Sequence, residues 1–145
     1  DIAFRPLTEE MSVLKLYLSI EKKRFEEKLQ IKYDISEEAE SKPVLSFLIH
    51  PIIENAIKYG MKSTVLPLRL LIRAFVKNEY LVIEICNSGK WLEWGQEEGY
   101  HGTGTGLDNV KKRLENAYQG NYNFIIDKGD ENVCIRIEIQ QTSND

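Results

Sequence analysis

Between Asn132 and Gln140 every second residue is a β-branched hydrocarbon: Val133, Ile135, Ile137 and Ile139, with Cys134, Arg136 and Glu138 between them. A period of two puts all four on one side of an extended chain, whereas a helix would scatter them around its axis. The same rhythm runs through Leu29, Ile31, Tyr33 and Ile35; through Leu66, Leu68, Leu70, Ile72, Ala74 and Val76; and through Leu81, Ile83 and Ile85. These runs predict strands at about 29–35, 66–77 and 80–86, with "KNEY" joining the last two tightly. "YNFIIDKG" against "NVCIRIEIQ" predicts a closing hairpin. A sheet apolar on one side needs a cover, and the remaining segments supply it.

Residues 8–28 read as a helix. Thr8 is a candidate cap, and Glu9 and Glu10 suit the positive first turn. Met11, Leu14, Leu18 and Phe25, with Val13, Leu16, Tyr17 and Ile20 beside them, predict a wide buried stripe. "SEEAESKP" reads as a turn or loop. Residues 43–60 read as helical, with Pro43 at the first position and Gly60 at the stop; Pro51 must kink that helix or begin a new one. A last helix spans 107–118 and ends at Gly120. The expected fold is α+β: a two-layer sandwich with helices on one face of a mixed, mostly antiparallel sheet.

A chain of 145 residues suits one domain with a real core. Its net charge of -4 argues against nucleic acid as a main partner. Cys86 and Cys134, both in alternating apolar stretches, read as two reduced core thiols of a cytosolic protein and not as a disulfide or metal site. No signal peptide and no apolar run long enough to span a bilayer is present. The chain opens on Asp1 without an initiator methionine, which suggests a piece of a longer, membrane-associated protein.

Three stretches carry chemistry. "HGTGTGL" sets Gly102, Gly104 and Gly106 at alternate positions just before a helix. Bare backbone lets N–H groups approach an oxyanion, and the positive end of the helix favours it. A flexible loop is the bland alternative. No Lys-Ser or Lys-Thr follows, the spacing is not that of a dinucleotide fold, and the stretch opens a helix where a protein-kinase glycine loop joins two strands. In "HPIIENAIKYG", Glu54, Asn55, Lys58 and Tyr59 fall within one helical turn of each other. An amide oxygen of Asn55 suits Mg²⁺, Glu54 can orient or deprotonate a group near a γ-phosphate, Lys58 can neutralise phosphate, and Tyr59 offers an aromatic wall. The alternative is a surface ion pair with a buried tyrosine. In "IEICNSGKW", Asn87 at a strand end can present an oxygen to an adenine amino group; a hairpin exit is the alternative. The run 87–105, glycine-rich and holding both tryptophans, reads as a functional lid.

In this order the stretches resemble the ATP-binding domain of sensor histidine kinases, in the Bergerat-fold (GHKL) superfamily. "ENAIKYG" looks like the asparagine box, "NSG" like the first glycine box and "GTGTGLDNVKKRL" like the second. "PLTEEMSVLKLYLSIEKKRFEEKLQIKYDI" is similar to the segment that precedes the ATPase domain in LytS/YehU-type kinases.

The resemblance implies ATP and Mg²⁺ as cofactors, with Asn55 holding the metal, Glu54 the adjacent acid and Lys58 near phosphate. Tyr59 and Asn87 would flank the base, and Gly89 would let it approach. Gly102, Thr103, Gly104, Thr105 and Gly106 would form the phosphate end of the lid, with Leu107 starting its helix. Residues 1–28 would be the tail of an upstream histidine-containing dimerisation region and 29–145 the catalytic domain. The resemblance further implies a protein histidine kinase whose phosphoryl acceptor lies outside this chain. The partners would be its own upstream helices in a homodimer and a response regulator of the LytTR type. The setting would be the cytoplasmic side of a bacterial inner-membrane sensor. His50 reads as buried or pocket-lining and His101 as a lid residue. Asn87 stands where the family has Asp, Trp91 replaces the second glycine of its box, and Pro51 stands where the wider superfamily often has a second Asn. A nucleotide-binding switch without transfer, or a scaffold with an empty pocket, are the rival readings.

Overall fold

The computed structural model describes residues 3–91 and 105–141. A short strand β1 (Phe4–Pro6) leads into helix α1 (Leu7–Phe25), a single 3₁₀ turn and strand β2 (Leu29–Ile35). Then come α2 (Glu37–Glu40), β3 (Pro43–Leu45), α3 (His50–Ser63), β4 (Leu68–Lys77) and β5 (Tyr80–Ser88). Helix α4 (Thr105–Tyr118) and the hairpin β6 (Tyr122–Lys128) and β7 (Asn132–Gln140) complete the chain.

The main sheet runs β2-β4-β5-β7-β6. β2 pairs parallel to β4 and every other pair is antiparallel. The alternation fixes its polarity. Leu68, Leu70, Ile72 and Ala74, then Leu81, Ile83 and Ile85, then Ile135, Ile137 and Ile139 are all buried in one cluster with Leu14 and Leu18 of α1, Ile52, Ile53, Ala56 and Ile57 of α3, and Leu107, Val110 and Leu114 of α4. The helices thus share one side of the sheet, which is the expected two-layer α+β sandwich. No helix of the described residues is long and apolar enough to cross a membrane.

Six local expectations give way. The segment 43–60 is not one helix. Pro43 pairs with Pro6 in a small antiparallel sheet of β1 and β3, where neither proline has an N–H to lose. Phe47 then adopts φ +62, which no right-handed helix can pass through, so α3 begins only at His50. Pro51 sits in its first turn, where a missing N–H costs nothing. Gly60 does not stop that helix, which continues to Ser63. A Cβ at Gly60 would lie 2.6 Å from Leu68 Cδ1 and 3.1 Å from Asn87 Nδ2, so the glycine serves close packing of α3 on the sheet. "SEEAESKP", expected to be loop, holds the one-turn α2, capped by Ser36, whose hydroxyl accepts from the Ala39 N–H.

In α1 the cap is Pro6, with no side-chain bond, and Thr8 instead receives Ser12 Oγ on its carbonyl. Glu10 turns inward, while Leu16 and Ile20, expected in the buried stripe, are about two-thirds exposed (68% and 67%). Glu10 is the fold's one deeply buried carboxylate among the described residues, 1% exposed. It accepts the Phe47 N–H at 2.7 Å and pairs with Arg5 at 3.0 Å, so its burial is compensated. Finally, Cys86 and Cys134 are not reduced core thiols. They are directly opposed on β5 and β7, on the face away from the helices, and are joined as a disulfide. Each stands between core residues in sequence, and the two-residue period turns it to the other side.

Candidate functional site

The site gathers where the C-terminal end of β5 passes under α3 and the start of α4. Asn55 lies on the half-exposed side of α3, and a Cβ at Gly106 would stand 4.0 Å from its Oδ1. The amide therefore faces the first turn of α4, a 14-residue helix whose N–H groups and dipole favour an anion at this end. Leu107, 3% exposed, anchors that turn in the core. Thr105 opens the helix. Gly102, Thr103, Gly104 and His101 lie outside the described residues.

Asn55 and Tyr59, one turn apart on α3, line a pocket together with Ala56, Asn87, Lys90, Trp91, Val133 and Ile135. Asn87 follows Ile83 and Ile85 in the alternation, so its side chain turns under the helices, where it is 7% exposed. Its Nδ2 donates to the Ser88 carbonyl at 2.8 Å, which directs the amide oxygen elsewhere. Gly89 has φ +114, and a Cβ there would meet Ser63 Oγ at 2.4 Å. Only glycine lets the strand end pass so close to the last turn of α3. Ser63 completes that junction, accepting the Lys90 N–H at 2.9 Å.

Glu54 and Lys58 occupy a different side of α3. They line a groove against α1 with Tyr17, Glu21, Arg24 and Lys62. The Glu54 carboxylate is 56% exposed, and His50 Nε2 stands 3.6 Å from it. The half-buried imidazole lies between the rings of Tyr17 at 4.4 Å and Phe47 at 6.0 Å. Burial first, then the charges of Glu21 and Glu54, push the Tyr17 hydroxyl up to about 12. Lys58 Nζ lies 5.1 Å from the centre of the Tyr59 ring. The arrangement thus offers an amide oxygen and a helix N-terminus on one side of α3, and a carboxylate with an ammonium on the other.

No protein-family model matches the chain. Among curated proteins it is 27% identical to the sensor protein LytS of Enterococcus faecalis over 97% of this chain and 26% of that one. It is 31% identical to the sensor histidine kinase BtsS of Escherichia coli strain K12 over 85% of this chain and 21% of that one. The chain spans about a quarter of the length of these relatives. Among solved structures it superimposes on the catalytic domain of histidine kinase ThkA (TM1359) with a TM-score of 0.69 and 17% identity, covering 99% of both chains. For the Acinetobacter baumannii histidine kinase AdeS the values are 0.66 and 19%, covering 99% of this chain and 68% of that one. The chain is a relative of the LytS-type sensor histidine kinases. Its fold is that of histidine-kinase catalytic domains.

Two features of this domain escape a reading of motifs, and a third, Trp91, is legible only as a departure from a glycine box. Arg113 of α4 donates to the carbonyls of Phe47, at 2.8 Å, and Ser46. The Tyr118 hydroxyl accepts the Leu45 N–H at 3.0 Å. With Glu10 on Phe47, these tie the entry of α3 to α1 and α4 together, and so set where Asn55 stands. No local pattern announces contacts across 37, 66 and 73 residues of chain. Val133 and Ile135, legible as core residues, also form the apolar wall of the pocket. Trp91 lines the pocket and packs on the core, with Lys128 Nζ 4.7 Å from its ring centre.

Proposed function

We propose that the chain is the ATP-binding, phosphoryl-donating domain of a two-component sensor histidine kinase. What carries this reading is Asn55, which lines one hollow with Asn87 and whose amide oxygen lies beside the first turn of α4. Among the described residues no group of three or more His, Cys, Asp or Glu side chains could hold a metal by itself. One neutral amide oxygen facing a helix N-terminus suits Mg²⁺, which keeps most of its waters and takes phosphate oxygens as its other ligands. Asn55 would hold it, and when bound it would neutralise charge on the β- and γ-phosphates.

The chain's own residues would do the rest by position. Asn87, its Nδ2 already engaged, offers its oxygen to the adenine amino group, and Tyr59 flanks the base. Gly89 lets strand and helix close behind it. Backbone N–H groups from Gly102, Thr103, Gly104, Thr105 and Gly106 would receive phosphate oxygens, with Leu107 holding the helix that continues them. Lys58 would meet the phosphates from the α1 side. Glu54, exposed beside it, would orient the imidazole of an incoming histidine and take its proton. That histidine would come from upstream helices, of which α1 is the tail, with 29–145 as the catalytic part and a homodimer as the working assembly. A response regulator would receive the phosphate: ThkA has been captured in complex with the response regulator TrrA, and the LytS-type likeness favours a LytTR-type regulator here. In this reading the domain works on the cytoplasmic side of an inner-membrane sensor, which the likeness to sensor kinases favours.

Calorimetric titration with ATP and Mg²⁺ tests this. Wild type binds, and Asn55→Ala does not, while its stability stays within about 0.5 kcal/mol because the side chain is half-exposed. Undiminished binding by Asn55→Ala would remove that residue from the site. Label transfer from ATP to the upstream histidine of the full-length kinase separates transfer from mere binding.

A further inference from the structure

The pocket lined by Asn55, Tyr59, Asn87 and Trp91 has only about 30 Å³ of free space. That admits a few water molecules and no nucleobase. Trp91 takes up part of the hollow: its partly buried indole packs on the core and forms one wall, with Ala56, Val133 and Ile135 among the others. Indole is a flat, fused two-ring heterocycle with one N–H, close to a purine in outline. Its Nε1 is buried without a hydrogen-bond partner among the described residues. A site made for this ring would give that donor an acceptor, and leaving it unpaired costs free energy that departure recovers.

We propose that the Trp91 side chain is an internal occupant of the base subsite, which a nucleotide must displace in order to bind; the inference rests on the nucleotide-binding reading above. Gly89 and Lys90, which precede Trp91, are held by Glu131 and Ser63, so it is the Trp91 side chain itself that turns out of the hollow. Lys128, stacked at 4.7 Å, helps retain the ring in its closed position. Trp91 is then an affinity-setting residue. Apparent affinity for ATP equals the intrinsic affinity multiplied by the fraction of molecules whose subsite is open. The effect is opposite to that of a stacking wall, whose removal weakens binding.

Two measurements on the 145-residue chain decide it. The first is the Kd of Mg²⁺-ATP for wild type and Trp91→Ala. If the plug closes nine molecules in ten, the variant binds about tenfold more tightly. The second uses Trp94→Phe, which leaves Trp91 as the sole indole; ATP then shifts its emission to longer wavelength as the ring enters water. This reports on the native side chain even if Trp91→Ala folds poorly. Equal or weaker binding by Trp91→Ala, in a chain whose wild type binds ATP, overturns the plug; so does a shift to shorter wavelength. If neither wild type nor Trp91→Ala binds ATP at millimolar concentration, the nucleotide-binding reading fails, and the plug with it.

Discussion

Consecutive residues of β5 serve two unlike faces. On the open face Glu84 holds Arg73 at 2.9 Å and Arg136 at 2.8 Å; Arg73 reaches Asp34 at 3.3 Å and Arg136 reaches Glu138 at 2.7 Å. Asn123 adds a bond to Glu138 at 2.9 Å, and the disulfide of Cys86 and Cys134 forms a covalent rung beside this ladder. Each charge of this ladder meets its opposite. On the helix side, one residue further along the strand, Asn87 spends its amide on the neighbouring carbonyl and leaves its oxygen to the pocket. Close packing there demands glycine twice, and a tryptophan N–H is buried unpaired. The open face is satisfied without a ligand. The helix side leaves groups open, and unsatisfied groups at such a place mark function more than stability.

Reducing the rung should give the largest change in stability. The bond closes a separation of 48 residues, which restricts the unfolded chain. Its loss should cost about 2–4 kcal/mol, read as a fall in denaturant midpoint on adding a thiol reductant or in Cys86→Ser/Cys134→Ser. If the faces are independent, the Kd for Mg²⁺-ATP moves less than about twofold, well below a 1 kcal/mol effect. An equal loss of binding would break the comparison, since Asn87 is the neighbour of Cys86.

Gly60→Val should do the reverse. The added Cβ meets Leu68, itself fully buried, and presses on the Asn87 amide. Overpacking of this kind costs about 1–3 kcal/mol, part of it returned by the better helix propensity of a residue other than glycine. Nucleotide binding should fall well beyond what that stability loss explains, because Asn87 is displaced. Unchanged binding at a lowered Tm would make Gly60 a packing residue and nothing more.

How much of this was open to a reader of the sequence follows from which forces are local. The four alternating runs place four of the five strands and their buried face, because a half-buried strand has no other way to sort its residues, although β4 begins at Leu68 and leaves Leu66, expected within it, half-exposed. The three long helices were visible from their patterns, but the start of α3 was not. Proline at 43 is equally at home in a first helical turn and on a sheet edge, and only pairing with Pro6 decides between them. Asn55 and Asn87 stand out through box-like sequence, and the resemblance implies that they share one pocket. What holds them there was not legible, because it depends on Gly60 and on the clamp that Glu10, Arg113 and Tyr118 place on residues 45–47. Cys86 was misread for a simpler reason. A thiol in an apolar alternating stretch is placed by parity, and parity puts it with Glu84 and Ser88 instead of Ile85. The glycines at 102 and 104, with Thr103, fall outside the described residues, so the phosphate end of the site rests on Gly106.

The smallest effect expected belongs to the end of the ladder. The hydrogen bond from Arg136, followed by that from Asn123, holds the Glu138 carboxyl below its ordinary range. A carboxylate with a lowered folded pKa contributes its stabilisation fully above the unfolded value and loses it as pH falls through the folded one. The ladder should therefore weaken on acidification and be unaffected between neutral and mildly alkaline pH. Glu138→Gln keeps the shape and removes the titration. Because Glu138 sits at the rim, the difference in stability between wild type and variant at pH 7 should stay below about 1 kcal/mol, shrink in high salt, and vanish once wild-type Glu138 is protonated. Urea midpoints of both proteins from pH 7 to pH 3 would show this as two curves that converge on the acid side. Curves that stay parallel would mean that Arg136 is held by Glu84 alone, and that the ladder ends at β7.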